Sequence, residues 1–126
     1  MVYLTAGGGH YQFRGQPPRR CRAGDLLVIF PEIAHAYGPE AGGQWSEIYV
    51  VFEGAVFDLW RRAGILSPEH SIVRGLPVKP HAKALRDIAA MRRGGDPARQ
   101  LAQVCRLQSF LASALAGHGG RGREQG

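Results

Sequence analysis

Cysteine is scarce in this sequence, and long apolar runs are missing altogether. The two cysteines, Cys21 and Cys105, stand far apart and no Cys-x-x-Cys pair is present, which removes the usual zinc-knuckle and dithiol redox motifs. No apolar stretch approaches the roughly 20 residues that a membrane-spanning helix needs. The first residues also lack the basic segment and apolar core of a signal peptide. We therefore interpret both thiols as structural and expect a cytoplasmic protein with no membrane partner.

Catalytic signatures are missing as well. No serine or cysteine stands in a nucleophile elbow, and no glycine-rich loop has the spacing that cradles a phosphate. We interpret Gly7-Gly8-Gly9 as a flexible hairpin turn between a strand over residues 2–5 and a returning strand over residues 10–13. The sequence therefore favours a binding protein over an enzyme.

Glycine, proline and apolar residues are plentiful. The chain of 126 residues has 18 glycines and 8 prolines and is 44% hydrophobic, which is typical of one turn-rich globular domain with a single core. Its net charge of +6 is spread over several segments, including Arg19, Arg20 and Arg22 before a turn and Arg121 and Arg123 near the end. This spread favours a solvated basic surface over a groove for DNA, which needs its cations along one element.

The stretch 23–37 organises the predicted fold. Gly24 and Asp25 favour a tight corner, because glycine adopts positive φ freely and aspartate bonds to the backbone that follows it. Residues 26–30 are all apolar, which predicts a strand covered on both faces. Pro31 ends the pairing because it donates no ladder hydrogen bond, and His35 lies where the next strand begins. Short strands joined by short turns predict an antiparallel meander or a Greek key.

This pattern of Gly-Asp, an apolar run, a proline and His35-x-Tyr37 resembles the second motif of the cupin barrel. More narrowly, it resembles the N-terminal sensor domain of the arabinose-regulator (AraC) family of transcription factors. The opening segment 3–15 and the aromatic strand 45–54 share that resemblance. It implies a mainly β, double-stranded β-helix (cupin, jelly-roll) barrel over residues 1–66, with effector binding and dimerisation as its function.

After Gly54 the apolar period becomes helical. A short helix that ends at Gly64 is predicted to cover the barrel. In the segment 67–116, helices over residues 81–93 and from Asp96-Pro97 to Ala116 are predicted to form an antiparallel pair. Residues 117–126 carry no packing side chain and are predicted to be a flexible linker. In the resembled family a DNA-binding domain follows, so DNA is expected to be contacted only through a C-terminal domain absent from this chain.

The last predicted helix is apolar over an arc of roughly 220°, well past the ~100° stripe of a one-sided surface helix. Either the preceding helix covers the extra width or a second copy of the chain does. The resemblance favours a homodimer through the C-terminal helices. The predicted dimer residues are Leu101, Val104, Leu107, Leu111 and Leu115.

A small-molecule effector is expected inside the barrel. On the predicted strand 44–52, alternate residues combine two aromatic rings with a carboxylate, which suits stacking on a ring compound and orienting hydroxyls or an amine. The resemblance adds two residues of the inner wall and one of the covering helix. The candidate effector-binding residues are Thr5, His35, Trp45, Glu47, Tyr49 and Trp60.

Plainer alternatives stay open for these residues. Trp45 is also suited to plugging the core, Glu47 to pairing with a surface arginine, and His35 to bonding with backbone at a strand end. Enzymatic cupins bind a metal through a His-x-His pair and a carboxylate, but His10 has no second histidine two residues later. Neither a metal nor another cofactor is therefore predicted.

The sequence thus predicts the ligand-sensing and dimerisation domain of an AraC-type transcriptional regulator, with a sugar as one class of effector. The alternative is a stand-alone cupin enzyme, either an isomerase or a metal-dependent dioxygenase. A further alternative is a barrel that is filled by its own side chains and binds no ligand.

Overall fold

A computed structural model of the chain describes residues 1–91 and 96–125, the segment 117–125 by its backbone alone. The chain divides into two compact units, Met1–Val78 and Lys79–Gly126. The strands are β1 (Val2–Phe13), β2 (Arg19–Arg22), β3 (Leu26–Leu27), β4 (His35–Pro39), β5 (Trp45–Tyr49) and β6 (Ile72–Val73). The helices are α1 (Ala55–Arg62), α2 (Val78–Ala90) and α3 (Pro97–Gln125), with a short 3₁₀ helix at Pro68–His70.

The sheet of the first unit is built around β1. This strand pairs with β2, β3, β4 and β5, and β3 also pairs with β6, always antiparallel. The first half of β1 lies between β3 and β5, and its second half lies between β2 and β4. A register shift beside Thr5 marks a β-bulge between the halves, and a bulge lets a strand bend.

The prediction of a mainly β first part is confirmed in a coarser form. The six strands form one connected antiparallel sheet, which curls into a half-barrel. The closed double-stranded barrel is not confirmed and stays a prediction.

The predicted hairpin turn at Gly7-Gly8-Gly9 is wrong, because these residues lie inside β1. The neighbouring strands come so close here that a side chain does not fit. A methyl group on Gly7 would lie 2.8 Å from the Trp45 Cα, and one on Gly9 would lie 2.7 Å from the Pro39 Cα. Glycine is therefore needed at this position because the strand backbones lie close together. A sequence pattern does not distinguish this requirement from a turn.

The corner at Gly24 forms as predicted. Its φ is 96°, in the region that favours glycine. Its amide donates to the Leu4 carbonyl and its carbonyl accepts from the Leu76 amide, each at 2.8 Å. The Tyr3 hydroxyl donates to the Leu76 carbonyl, also at 2.8 Å. The corner therefore joins β1 to the segment that precedes α2.

The Asp25 side chain, which is only 1% exposed, stabilises the same corner. The carboxylate accepts hydrogen bonds from the backbone amides of Arg22 at 2.9 Å and Gly75 at 3.3 Å. The Arg74 guanidinium also donates to it, at 3.3 Å. A buried carboxylate is tolerated here because three donors replace the water that it loses.

The apolar run 26–30 is largely buried, but little of it is strand. β3 covers only its first two residues, both fully buried. The Val28 amide then donates to the Ser71 carbonyl at 2.8 Å, outside the regular ladder. Pro31 ends the run, and β4 begins at His35 as predicted.

Two helix boundaries agree with their capping signals, the end of α1 and the start of α3. α1 ends before Gly64, which has a φ of 78°. Asp96 caps α3, since its Oδ1 accepts from the Ala98 amide at 3.0 Å. α3 continues past Ala116, its predicted end. The predicted end of the preceding helix, at residue 93, lies outside the described residues, and the linker role of residues 117–126 stays a prediction.

Within the second unit, the contacts between α2 and α3 include an aromatic pair and a hydrogen bond. The His81 ring meets the Phe110 ring edge-on, with centroids 5.8 Å apart. The Gln103 side chain donates to the Ile88 carbonyl at 2.9 Å. The earlier residue of α2 contacts the later residue of α3, and the reverse holds at the other contact, so the two helices run antiparallel.

Candidate functional site

A cavity of about 430 Å³ opens in the first unit between the end of β5, helix α1 and the segment that follows β3. This volume lies in the range of small-molecule sites. Its walls are mostly apolar and include Val2, Phe30 and Phe52. Phe57 of α1 also lines it, and its ring lies 4.5 Å from that of Phe52 between centroids. The result is a concave apolar surface that an organic molecule can fill.

Gly54 places α1 against this cavity. Its φ of 137° lies in a region that favours glycine. The Phe57 and Asp58 amides then donate to the Gly54 carbonyl at 3.1 and 3.2 Å, which starts the helix. The helix contributes Phe57, Asp58 and Arg61 to the lining.

Charged groups are few at the cavity, and most are acidic. Arg61 forms an ion pair with Glu32, and its guanidinium carbon lies 4.6 Å from the centroid of the Phe30 ring. A hydrogen bond to its own backbone amide, together with Arg61, holds the pKa of Glu32 below its ordinary value. Glu53 and Asp58 also line the cavity, so the described lining holds three carboxylates and one guanidinium. Such a lining favours neutral or cationic compounds over anions.

The amino group of Met1 also borders the cavity. It donates to the Val50 carbonyl at 2.7 Å, and burial lowers its pKa to about 6. The amino group is therefore largely uncharged at neutral pH and does not offset the three carboxylates.

Beside the cavity, the same face of the sheet carries the aromatic row, made up of His35, Tyr37, Trp45 and Glu47. Tyr37 lines the cavity and stacks on His35 and Trp45, with ring centroids 6.3 and 5.8 Å apart. Trp45 Nε1 donates to Glu47 Oε1 at 3.2 Å. His35 Nδ1 donates to the Ile33 carbonyl at 2.8 Å. The row thus offers ring faces, a carboxylate and an imidazole next to the apolar cavity.

Comparison with protein-family models identifies the type of domain. The model described as the AraC-like ligand binding domain matches residues 1–120. The chain belongs to this family. The comparisons with curated proteins and with solved structures found no match. The resemblance seen in the motifs is confirmed, and the cavity is one feature of this AraC-like domain that suits ligand binding.

The AraC-like domain distributes the six predicted effector residues over several places. Tyr49 lines the cavity and is 71% exposed. Three others belong to the aromatic row. Thr5 lies at the bulge of β1, and Trp60 packs edge-on against Phe57 with centroids 5.7 Å apart, beside the lining rather than in it. Their roles in effector binding stay predictions.

The charged groups of the cavity were not predicted from the sequence. Arg61 follows Phe57 by four positions and Asp58 by three, so a helical count places Arg61 next to both on the surface of α1. Glu32 directly follows the proline that ends the apolar run. These signals were present in the sequence. Only the long-range placement of α1 beside β5 shows that this side of the helix meets a cavity.

The predicted dimer residues of α3 fall into two groups. Leu107 and Leu111 are 6% and 0% exposed, so they already pack within their own chain. Leu101 and Val104 are 66% and 40% exposed, and Leu115 is half-buried. The exposed pair can meet a second chain without repacking. The dimer itself stays a prediction.

Other reactive groups are sparse in the described part of the AraC-like domain. Burial raises the pKa of the Cys21 thiol to about 11, so it is protonated at neutral pH, and Cys105 is exposed. Among the described side chains, no three His, Cys, Asp or Glu residues are grouped so that they can hold a metal ion. A search of the described residues finds no helix with the length and apolar character needed to cross a bilayer.

Proposed function

We propose that this domain binds a small molecule in the cavity and dimerises through α3, as the regulatory part of an AraC-type transcription factor without enzymatic activity. The observation that carries the proposal is the apolar cavity of about 430 Å³ with few charged groups, in a chain of a ligand-binding family. Contact with DNA is assigned to a separate domain that follows this one in the full regulator.

The lining indicates which effectors to test first. Aromatic rings bind the apolar faces of sugars and ring compounds, and the excess of carboxylates disfavours organic acids. Sugars and small aromatic amines are therefore ranked above organic acids.

Helix α1 is the element through which we expect a bound effector to act. It supplies Phe57, Asp58 and Arg61 to the lining, so a ligand that fills the cavity changes the contacts of the helix. In a dimer, two preferred positions of such an element bias the spacing of two tethered DNA-binding domains. The free energy by which the effector shifts this equilibrium cannot exceed the difference between its binding free energies for the two states.

The first prediction concerns the place of binding. A thermal-shift screen against sugars, aromatic amines and organic acids supplies the ligand, since a ligand at 100 times its Kd adds about 2.7 kcal/mol of stability. With such a hit, Tyr49→Ala is expected to weaken binding about tenfold, because one aromatic wall is lost. Isothermal titration calorimetry measures the change.

Leu59→Ala is the matched control, because Leu59 is an exposed apolar residue of α1 at 59% exposure that does not line the cavity. It is expected to leave the affinity unchanged. If Trp45→Ala abolishes binding while Tyr49→Ala has no effect, the effector sits on the aromatic row and the cavity assignment is wrong. The absence of any hit from the whole panel contradicts the sensing function.

The second prediction concerns the dimer. Leu101→Glu with Val104→Glu is expected to shift the protein from dimer to monomer, because two charges enter an apolar contact. Light scattering coupled to size exclusion measures the molar mass. Ala102→Glu is the control, since Ala102 is also exposed on α3 but lies about 100° around the helix from Leu101. A monomeric starting protein, or a dimer that survives the double substitution, contradicts dimerisation through α3.

A further inference from the structure

A second cavity of the first unit is basic. Its volume is about 480 Å³, and it is lined by Arg20 and Arg22 of β2, by Arg74 and by Glu40. The backbone at residues 8–9 also reaches it. The described lining therefore holds three guanidinium groups and one carboxylate. This is the reverse of the charge balance in the cavity beside α1, which we call the effector cavity.

The basic cavity lies on the opposite face of the sheet from the aromatic row. Arg20 is paired directly with His10 of β1, whereas Tyr37 is paired with the next residue of that strand, Tyr11. Successive residues of a strand point to opposite faces. Among the described residues, none lines both cavities, so the two cavities are spatially separate.

Arg74 is held in place before any ligand arrives. Its Nη1 donates to the Arg20 carbonyl at 2.9 Å and to the buried Asp25 carboxylate at 3.3 Å. Within the described part of the chain, its Nη2 and Nε form no hydrogen bond. A guanidinium fixed on one side and open on the other loses little side-chain entropy when it binds an oxyanion.

Glu40 already brings an anion to this cavity. Its Oε1 lies 3.7 Å from Arg20 Nη2 and 3.6 Å from His10 Nε2. Both distances exceed the usual length of a hydrogen bond, and the Arg20 and Glu40 side chains are 85% and 48% exposed. Ion pairs of this kind contribute little to stability, so a stronger anion can replace the carboxylate at low cost.

We propose that the basic cavity binds the phosphate group of a small organic molecule, with Arg20 and Arg22 as its ligands, Arg74 as a pre-positioned guanidinium and Glu40 as an internal competitor. Guanidinium groups bind tetrahedral oxyanions through paired hydrogen bonds. The cavity of about 480 Å³ is larger than a phosphate ion needs, so there is room for an organic group beside it. The site is separate from the effector cavity and does not depend on the proposed function.

The test is calorimetric titration of the full chain at low salt with a hexose monophosphate and, separately, with inorganic phosphate. Arg20→Gln and Arg22→Gln are each expected to weaken binding of the hexose monophosphate about tenfold, because each removes charge-assisted hydrogen bonds. Glu40→Gln is expected to strengthen it about threefold or more, since the competing charge is gone. All three side chains are exposed, so these variants are expected to fold.

Arg19→Gln is the matched control. Arg19 lies on the same strand and is exposed, but its guanidinium lies over the Phe13 ring, 5.9 Å from the centroid, and it does not line the cavity. It is expected to change the affinity less than twofold. An equal loss of affinity in Arg19→Gln and Arg20→Gln would mean that the ligand is attracted by the net charge of the surface rather than by a specific site. That result would overturn the proposal.

Two other results also overturn the proposal. Inorganic phosphate that binds as tightly as the hexose monophosphate would show that no organic group is recognised. A short DNA duplex that binds more tightly than the monophosphate, and loses affinity in Arg20→Gln, would make the surface a nucleic-acid contact instead.

Discussion

Asp25→Ala is expected to lower the free energy of unfolding of the unit Met1–Val78 by about 3–5 kcal/mol. The substitution deletes a carboxylate that is 1% exposed and that accepts from the Arg22 and Gly75 amides and from the Arg74 guanidinium. Two backbone donors then lose their partner in a place that water does not easily reach. The loss is large because these bonds join the end of β2 and the segment after β6 at one point.

Urea unfolding followed by tryptophan fluorescence measures this effect, since both tryptophans of the chain, Trp45 and Trp60, lie in that unit. Glu40→Ala is the control in the same unit, because its side chain forms exposed ion pairs, one of them with Arg20, and an exposed pair is worth at most about 1 kcal/mol. A loss below about 1 kcal/mol in Asp25→Ala would show that the corner does not hold the unit together.

Gly9→Ala is expected to destabilise the same unit by about 3 kcal/mol or more. A methyl group at this position would overlap the Gly38 carbonyl oxygen and lie 2.7 Å from the Pro39 Cα. Both neighbours are backbone atoms of β4, so no side-chain rotation relieves the overlap. The two strands must separate, and their hydrogen bonds weaken.

Gly38→Ala provides the comparison within the same strand pair. A methyl group on Gly38 meets no atom within 4 Å, and its φ is not positive. The change is expected to alter the free energy of unfolding by less than about 1 kcal/mol. Equal destabilisation by both substitutions, measured in urea, would argue against close backbone contact as the reason for glycine at position 9.

The turn at Gly24 could be predicted from sequence because its cause is local, since glycine adopts the required φ whatever the rest of the chain does. The cap of α3 at Asp96 was predictable for the same reason. The predicted bond from Asp25 to the backbone that follows it is wrong, because its carboxylate accepts from the preceding Arg22 amide and from the distant Arg74 and Gly75. The glycine run at residues 7–9 was not predictable, because its cause lies in strands that are distant in sequence. A tight turn and a close approach of two strands both require glycine, and only the observed strand pairing shows which of the two applies.

The candidate site shows the same division between local and long-range causes. Alternation along β5 predicted Trp45, Glu47 and Tyr49 on one face, and in the structure Trp45 lies opposite Gly7 and Tyr49 opposite Val2. The cavity, however, is made by α1 and residues 28–32 as much as by β5. Its charged pair, Arg61 and Glu32, joins two segments whose contact no local pattern specifies.

The central position of β1 also determines when the edges of this strand become covered during synthesis. β1 precedes all of its partners in the sequence, and the pairing of Val2 with Tyr49 requires the chain through β5. During synthesis, one edge of the apolar segment Val2-Tyr3-Leu4 therefore stays open until β5 has left the ribosome. An open apolar strand edge is prone to pair with other chains. The nascent protein is thus most vulnerable to aggregation between the release of β1 and the release of β5, a window set by the order of translation rather than by the stability of the finished sheet.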